Sequence, residues 1–209
     1  KPVVGFVDAL SGGKAAKAAA RPRDDDLALY DRVIARISKG ENYYTAVADE
    51  HRKSHYPLRP GVAVRLPTLA YLDMALGDRG QGDAVIVPGE VAAALALLIA
   101  VVWAWWCRLG DEPGGKRFQR IGTALLFMGA SLGLNRYYFV LHELWAGMLI
   151  ALSLGLHRPG RKWLGAVIAA GLALAIREHA APYILLMAAT ALWRREWKEA
   201  AAWLGLIAA

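Results

Sequence analysis

The sequence predicts an all-α fold: a multi-spanning transmembrane helical bundle (90–209) with a helical extracytoplasmic loop domain (24–89) behind a flexible, linker-like N-terminal segment (1–23). Three observations predict it. The 209-residue chain is 56% hydrophobic and 21% charged, against roughly 45–50% and about 25% in an average soluble domain. Its charge is unevenly placed: residues 1–88 carry 13 Lys and Arg against 11 Asp and Glu, whereas residues 89–209 carry 12 against 7, in short clusters between apolar runs. Those clusters alternate between basic and balanced, as loops on two sides of a bilayer do. The apolar content also excludes intrinsic disorder, and Cys107, the sole cysteine, excludes a disulfide framework. The formal net charge of +7 does not indicate nucleic acid, because no Lys/Arg stripe is interleaved with aromatics.

Residues 1–23 are rich in Ala, Gly and Lys; Ser11-Gly12-Gly13-Lys14 lacks the first Gly and the hydroxyl residue of a phosphate loop and reads as linker. Asp24-Asp25-Asp26 then precedes Leu27, Tyr30, Val33, Ile34 and Ile37. That 3–4 spacing predicts an amphipathic helix over about 27–39, with carboxylates facing its free N–H groups and Gly40 ending it. A second helix is expected from Thr45 to about Lys53. Pro57, Pro60 and Pro67 then forbid a long regular element. A short helix follows over about 68–76, and Gly- and Asp-rich residues 77–89 read as a loop.

Val91 to Cys107 are 17 residues without a charge, ending in Trp103, Trp105 and Trp106. At about 1.5 Å per residue this run nearly spans a bilayer, with the indoles at an interface. Later apolar runs, 121–134, 144–156, 163–176 and 180–193, are shorter and span only if their polar flanks lie at membrane depth among other helices. A soluble bundle would need polar faces at helical spacing, and Leu164–Ile176 has none. The connections at 108–120, 157–162 and 194–198 are basic and expected to be cytoplasmic; those at 135–143 and 177–179 are charge-balanced and expected outside, with residues 1–88. The chain opens on Lys1 without a signal-like run and stops inside an apolar run that begins near Ala200, so it is expected to be part of a longer protein.

Ionisable residues at membrane depth are costly and therefore candidates for function. Three groups fall on the expected outer face: Asp24–Asp26, His142-Glu143 and Arg177-Glu178-His179. A carboxylate there suits a general base toward a hydroxyl, and Arg or His suits a departing phosphate. The plainer readings are a solvated helix start for the Asp triplet and a helix-pairing role for Glu143 and Arg177. Arg59 and Arg65, each beside prolines, suit a phosphate as well as solvent. Tyr43-Tyr44, Tyr137-Tyr138 and Trp163, Trp193, Trp197 and Trp203 are expected as interfacial anchors. His51 and His55 lack metal-ligand spacing and are expected at the surface.

Several of these stretches together resemble bacterial GT-C-type membrane glycosyltransferases, the alphaproteobacterial members in particular. They are Asp24-Asp25-Asp26-Leu-Ala-Leu-Tyr30, Gly40-Glu41-Asn42-Tyr43-Tyr44, Tyr56-Pro57-Leu58-Arg59-Pro60, Arg65-Leu66-Pro67-Thr68, His142-Glu143-Leu-Trp145-Ala-Gly147 and Ile176-Arg177-Glu178 with Pro182-Tyr183. The resemblance covers about residues 24–205; the membrane helix expected ahead of the acidic motif is missing from it. It implies a multi-pass protein of the bacterial inner membrane that moves a sugar from a polyprenyl-phosphate carrier to an acceptor hydroxyl on a glycan, lipid or protein, usually with inversion. Carried over by position, Asp26 or Asp25 is the base. Arg177, His142 and Arg59 would hold the donor phosphate, and Glu143 and Glu178 would orient those cations or bind the acceptor. The resemblance leaves a divalent metal open. The reading from another class is a non-catalytic or transporter-like membrane protein, in which the same Arg, Glu and His form a relay or a helix lock.

Overall fold

The computed structural model describes residues 23–59 and 64–208, so all but Arg23 of the expected linker lies outside the described residues. Among them the chain is all-α, with short 3-10 turns, one isolated bridge between Arg158 and Lys162, and no strand.

Helix α1 (Asp25–Ile37) places Asp25 and Asp26 in its first turn, at the positive end of the helix dipole. Helix α2 (Tyr43–Lys53) is capped by Asn42, whose side chain accepts from the backbone N–H of Tyr44 at 3.0 Å and of Thr45 at 3.4 Å. Helix α3 (Pro67–Leu76) opens on proline, and Gly77 closes it in the left-handed region at φ 110°. The apolar stripe of α1 packs on α2 and α3 around Leu29, Val33, Ile34, Tyr43 and Val47, all buried. Each such side chain contributes about 1.5–3 kcal/mol. On the far face Arg36 joins Glu41, Asp49 and Glu50, and Arg32 reaches Glu50 at 2.7 Å. Burial pushes the Glu50 carboxyl up, but Arg32, Lys53 and Arg36 outweigh it and hold it down at about 2.

Six helices follow: α4 (Pro88–Asp111), α5 (Gly115–Ala130), α6 (His142–Leu156), α7 (Leu164–Ile176), α8 (Ala181–Trp193) and α9 (Trp197–Ala208). Helix α4 has 24 residues, about 36 Å, and is long and apolar enough to cross a membrane; only 28% of its most apolar stretch is buried. Among the described residues it is the one helix that meets that test. Helices α6 to α9 have 15, 13, 13 and 12 residues. Helix α4 packs on α5 and α6, α6 on α7, and α8 on α9. Helices α4 and α6 run parallel: the Trp105 indole donates to the Ala151 carbonyl at 2.8 Å and Arg108 to the Leu154 carbonyl at 2.6 Å.

These contacts sort the loops between the helices to two ends. At one end α1–α3 meet the start of α6 and the end of α7. At the other, Arg108, Asp111, His157, Arg158, Arg194 and Glu199 converge, with His157 Nε2 2.7 Å from the Glu199 carboxylate. The expected anchors divide too. Trp193 and Trp197 are exposed, but Trp203 and Tyr43 are buried in cores, and His51 is buried with Nδ1 3.2 Å from the Pro57 carbonyl, correcting its surface assignment. Their neighbours lie far away in sequence, so spacing alone does not reveal them.

Candidate functional site

Where α1–α3 meet the helix bundle, charged side chains from four stretches of chain meet. The first turn of α1 supplies Asp26. The segment before α3 supplies Arg65, which is nine-tenths buried. Its backbone is fixed at both groups: its N–H donates to the Tyr30 hydroxyl at 3.1 Å, and its carbonyl accepts from the Tyr43 hydroxyl at 2.7 Å. Burial pushes both phenols up; Tyr43 donates its proton to the Arg65 carbonyl, while the Tyr30 oxygen accepts from the Arg65 N–H. The guanidinium lies 4.3 Å over the Tyr30 ring, a cation–π contact. This pre-sets one rotamer of a long side chain.

From there the charges alternate. Arg65 Nη2 lies 3.4 Å from the Asp26 carboxylate and 3.8 Å from Glu143 at the start of α6. The other Glu143 oxygen lies 3.1 Å from Arg177 Nε, and Arg177 Nη1 lies 3.6 Å from Glu178. Arg177 ends α7 in extended backbone, which breaks the helix and turns the side chain back toward α6. Asp26 and Glu143 are each nearly half exposed, so the row is open on one side. The two arginines are not saturated: Arg65 Nη1 and Arg177 Nε and Nη1 are buried and have no hydrogen-bond partner, since the approach of Glu143 to Nε is close but not aligned. Glu178 Oε2 is likewise unpartnered. Buried charged donors left unbonded cost about 1–3 kcal/mol or more each.

An apolar groove of about 450 Å³ leads to Glu143 between α4, α5 and α6, past Val101, Leu126 and Met148. Gly129 and Gly147 line it with open space where a Cβ would stand.

Of the residues singled out from sequence, Asp26, Glu143, Arg177 and Glu178 come together. Asp25 is exposed, with no ion pair among the described residues. Arg59 is exposed and forms no hydrogen bond or ion pair among the described residues; Arg65 stands where a loop cation was expected. His142 is buried with Nε2 3.0 Å from the Leu66 carbonyl and Nδ1 3.2 Å from the Val140 carbonyl, so its ring ties loop to helix and is not turned to the open row. Sequence reading underrated Arg65 and missed the Tyr30 and Tyr43 hydroxyls, whose partners lie 35 and 22 residues away. As for a metal, the adjacent Asp24, Asp25 and Asp26 do not converge, and among the described residues no group of three His, Cys, Asp or Glu side chains is disposed to hold an ion. No known family model matches the chain, and neither curated proteins nor solved structures give a match.

Proposed function

We propose that the chain is a multi-spanning protein of a bacterial inner membrane that transfers a sugar from a polyprenyl-phosphate donor to an acceptor hydroxyl at its outer, loop-domain face. The observation that carries this reading is the row Asp26–Arg65–Glu143–Arg177, a half-exposed carboxylate beside one buried guanidinium group, with a second beyond Glu143, both with unpartnered donors. A base and a phosphate-holding pair are what displacement of a phosphate by a hydroxyl requires. The apolar groove ending at Glu143 suits the polyprenyl chain. The large apolar side chains turned outward from α4 to α9 suit lipid, and the pairing of α6 with α7 lets short helices bury their polar ends.

In this reading Asp26 accepts the acceptor's hydroxyl proton. The acceptor oxygen bonds to the anomeric carbon as the bond from that carbon to the phosphate oxygen breaks. The electron pair leaves on polyprenyl phosphate, whose charge Arg65 and Arg177 hold, and the anomeric configuration inverts. Glu143 and Glu178 keep the two guanidinium groups aimed. The test is transfer of a labelled sugar from polyprenyl phosphate by the chain in liposomes, with thermal unfolding as the control for folding. Asp26→Asn is expected to lower transfer about 100-fold or more with little change in stability, while Asp25→Asn retains it. A folded Asp26→Asn protein with undiminished transfer overturns the assignment.

A second reading has one observation in its favour: the Glu143–Arg177 approach of 3.1 Å joins α6 to α7. If those residues are only a helix lock, Arg177→Gln and Glu143→Gln lower stability singly and together by similar amounts and leave the transfer of the folded protein unchanged. If Arg177 holds a phosphate, folded Arg177→Gln loses transfer.

A further inference from the structure

We propose that the opposite, basic end of the helix bundle holds an anionic phospholipid in a cavity between α4 and the turn joining α6 to α7. This rests on the membrane reading above but not on sugar transfer. The cavity measures about 690 Å³. From α4 it is lined by Trp103, Cys107 and Asp111, spaced i, i+4, i+8, a single stripe about 12 Å long. The stripe begins on an exposed indole and ends on a carboxylate. Opposite it stand Arg158, Arg161 and Lys162.

The turn that carries these cations is closed by its backbone. The N–H of Arg158 donates to the Lys162 carbonyl at 3.0 Å and that of Lys162 to the Arg158 carbonyl at 3.1 Å. Gly160 between them holds φ 68°, a left-handed conformation that strains other residues. Arg158 is committed to structure: Nε meets Asp111 at 3.1 Å and Nη1 donates to the Gly155 carbonyl at 2.9 Å. That pairing neutralises the one carboxylate in the lining. Arg161 and Lys162 are exposed and have no ion pair among the described residues.

The result is two cations that make no ion pair among the described residues, on a turn whose Gly160 the Glu196 carboxylate approaches, at the mouth of a cleft walled by Trp103, Ala104, Gly155 and Leu156. A small soluble anion makes no use of the Trp103 stripe, and the cationic head of a zwitterionic lipid meets like charge. A lipid with a phosphodiester and no balancing cation satisfies both parts, its acyl chain along Trp103 and Ala104 and its phosphate at Arg161 and Lys162.

Cys107 lines the cavity, is exposed and is the sole cysteine, so its thiol reports occupancy. The chain is placed in nanodiscs of phosphatidylcholine, alone or doped with phosphatidylglycerol, and the rate of labelling by an uncharged maleimide is measured. Phosphatidylglycerol is expected to slow labelling, with a half-point set by its mole fraction. Each basic side chain near an anionic lipid strengthens binding about fivefold. The double variant Arg161→Gln/Lys162→Gln, at two exposed positions, is therefore expected to need about 20- to 30-fold more phosphatidylglycerol for the same protection. Equal rates in the two lipids, or protection unchanged in the double variant, overturn the site. A chain that does not enter nanodiscs at all overturns the membrane reading, and the site with it.

Discussion

The two regions of this chain bury opposite things. Around α1–α3 the interior is made of Leu29, Val33, Ile34, Tyr43 and Val47, and the surface carries charge networks such as Arg36 with Glu41, Asp49 and Glu50. From α4 to α9 the interior is largely alanine, with Ala94, Ala104, Ala166, Ala170, Ala173 and Ala191 all nearly inaccessible. There the large apolar side chains point out: Ile99 is 66% exposed, Met128 68% and Trp193 90%. In water the second arrangement exposes many large apolar side chains, which a soluble monomer rarely gathers in one place. In lipid it is favourable, because no hydrophobic force separates Leu from an acyl chain and close approach of small residues drives helix packing. The contrast is the one expected of a chain that faces water in one region and, on the proposed membrane reading, lipid in the other, and the Asp26–Arg177 row sits between the two regions.

The most direct way to break the comparison is to place a charge on each exterior. Ile168 is 57% exposed in α7, and Tyr44 is 61% exposed in α2. Ile168→Arg is expected to cost about 2.5–3.5 kcal/mol of membrane insertion, read as loss of the chain from the membrane fraction. Tyr44→Arg, on the water-facing region, is expected to change stability by less than about 0.5 kcal/mol. If Ile168→Arg is as silent as Tyr44→Arg, the outward apolar face of α7 does not meet lipid.

A smaller effect sharpens the same comparison from inside. Ala170 is fully buried in the core shared by α7, α8 and α9, beside Ile184 and Trp203. Ala170→Leu adds volume at a fully buried position of this core and is expected to cost about 1–3 kcal/mol, measured by thermal unfolding in detergent. Neutral or stabilising behaviour would mean that close approach of small residues does not set this packing.

The same duality decides what was legible in the sequence. The helix expected over 27–39 is found at Asp25–Ile37, that over 45–53 at Tyr43–Lys53, and that over 68–76 at Pro67–Leu76. In the second half, the runs 144–156, 163–176 and 180–193 return as α6, α7 and α8 within two residues. Periodicity, caps and apolar length are local signals, and they act the same way in either solvent. The run 121–134 shows the limit: its helix starts at Gly115 and gives way to a 3-10 turn at Ser131–Leu134, which the uninterrupted apolar string conceals. The site was legible only in part. Glu143, Arg177 and Glu178 stood out because charge is rare near apolar runs, and Asp26 through the acidic triplet at a helix start and the family resemblance. Arg65 did not separate from Arg59, because what distinguishes them is the pair of tyrosine hydroxyls that reach Arg65 across the fold.

The smallest expected effect concerns the seam itself. Asp73, on α3, is 1% exposed and neither carboxylate oxygen has a hydrogen-bond partner. Burial first, then the nearby carboxylates of Glu90, Asp78 and Asp31, push its carboxyl well above the usual range. The sign follows from linkage: an acid whose folded value is raised favours folding while protonated in both states, and that advantage disappears as pH climbs from about 4 toward the folded value. Glu50 acts in the opposite direction. Held at about 2, it contributes stability above its ordinary range and loses it as pH falls toward 2. Asp73→Asn keeps the shape and removes the titration. It is expected to flatten the loss of stability above pH 4; its amide stays buried without partners, so any gain over the parent appears only in the pH range where the parent loses stability. The acid limb set by Glu50 should not move. Unfolding of both proteins across pH separates the two: a variant that loses stability with rising pH as steeply as the parent would mean that the seam between α3 and α4 pays nothing for its buried carboxylate.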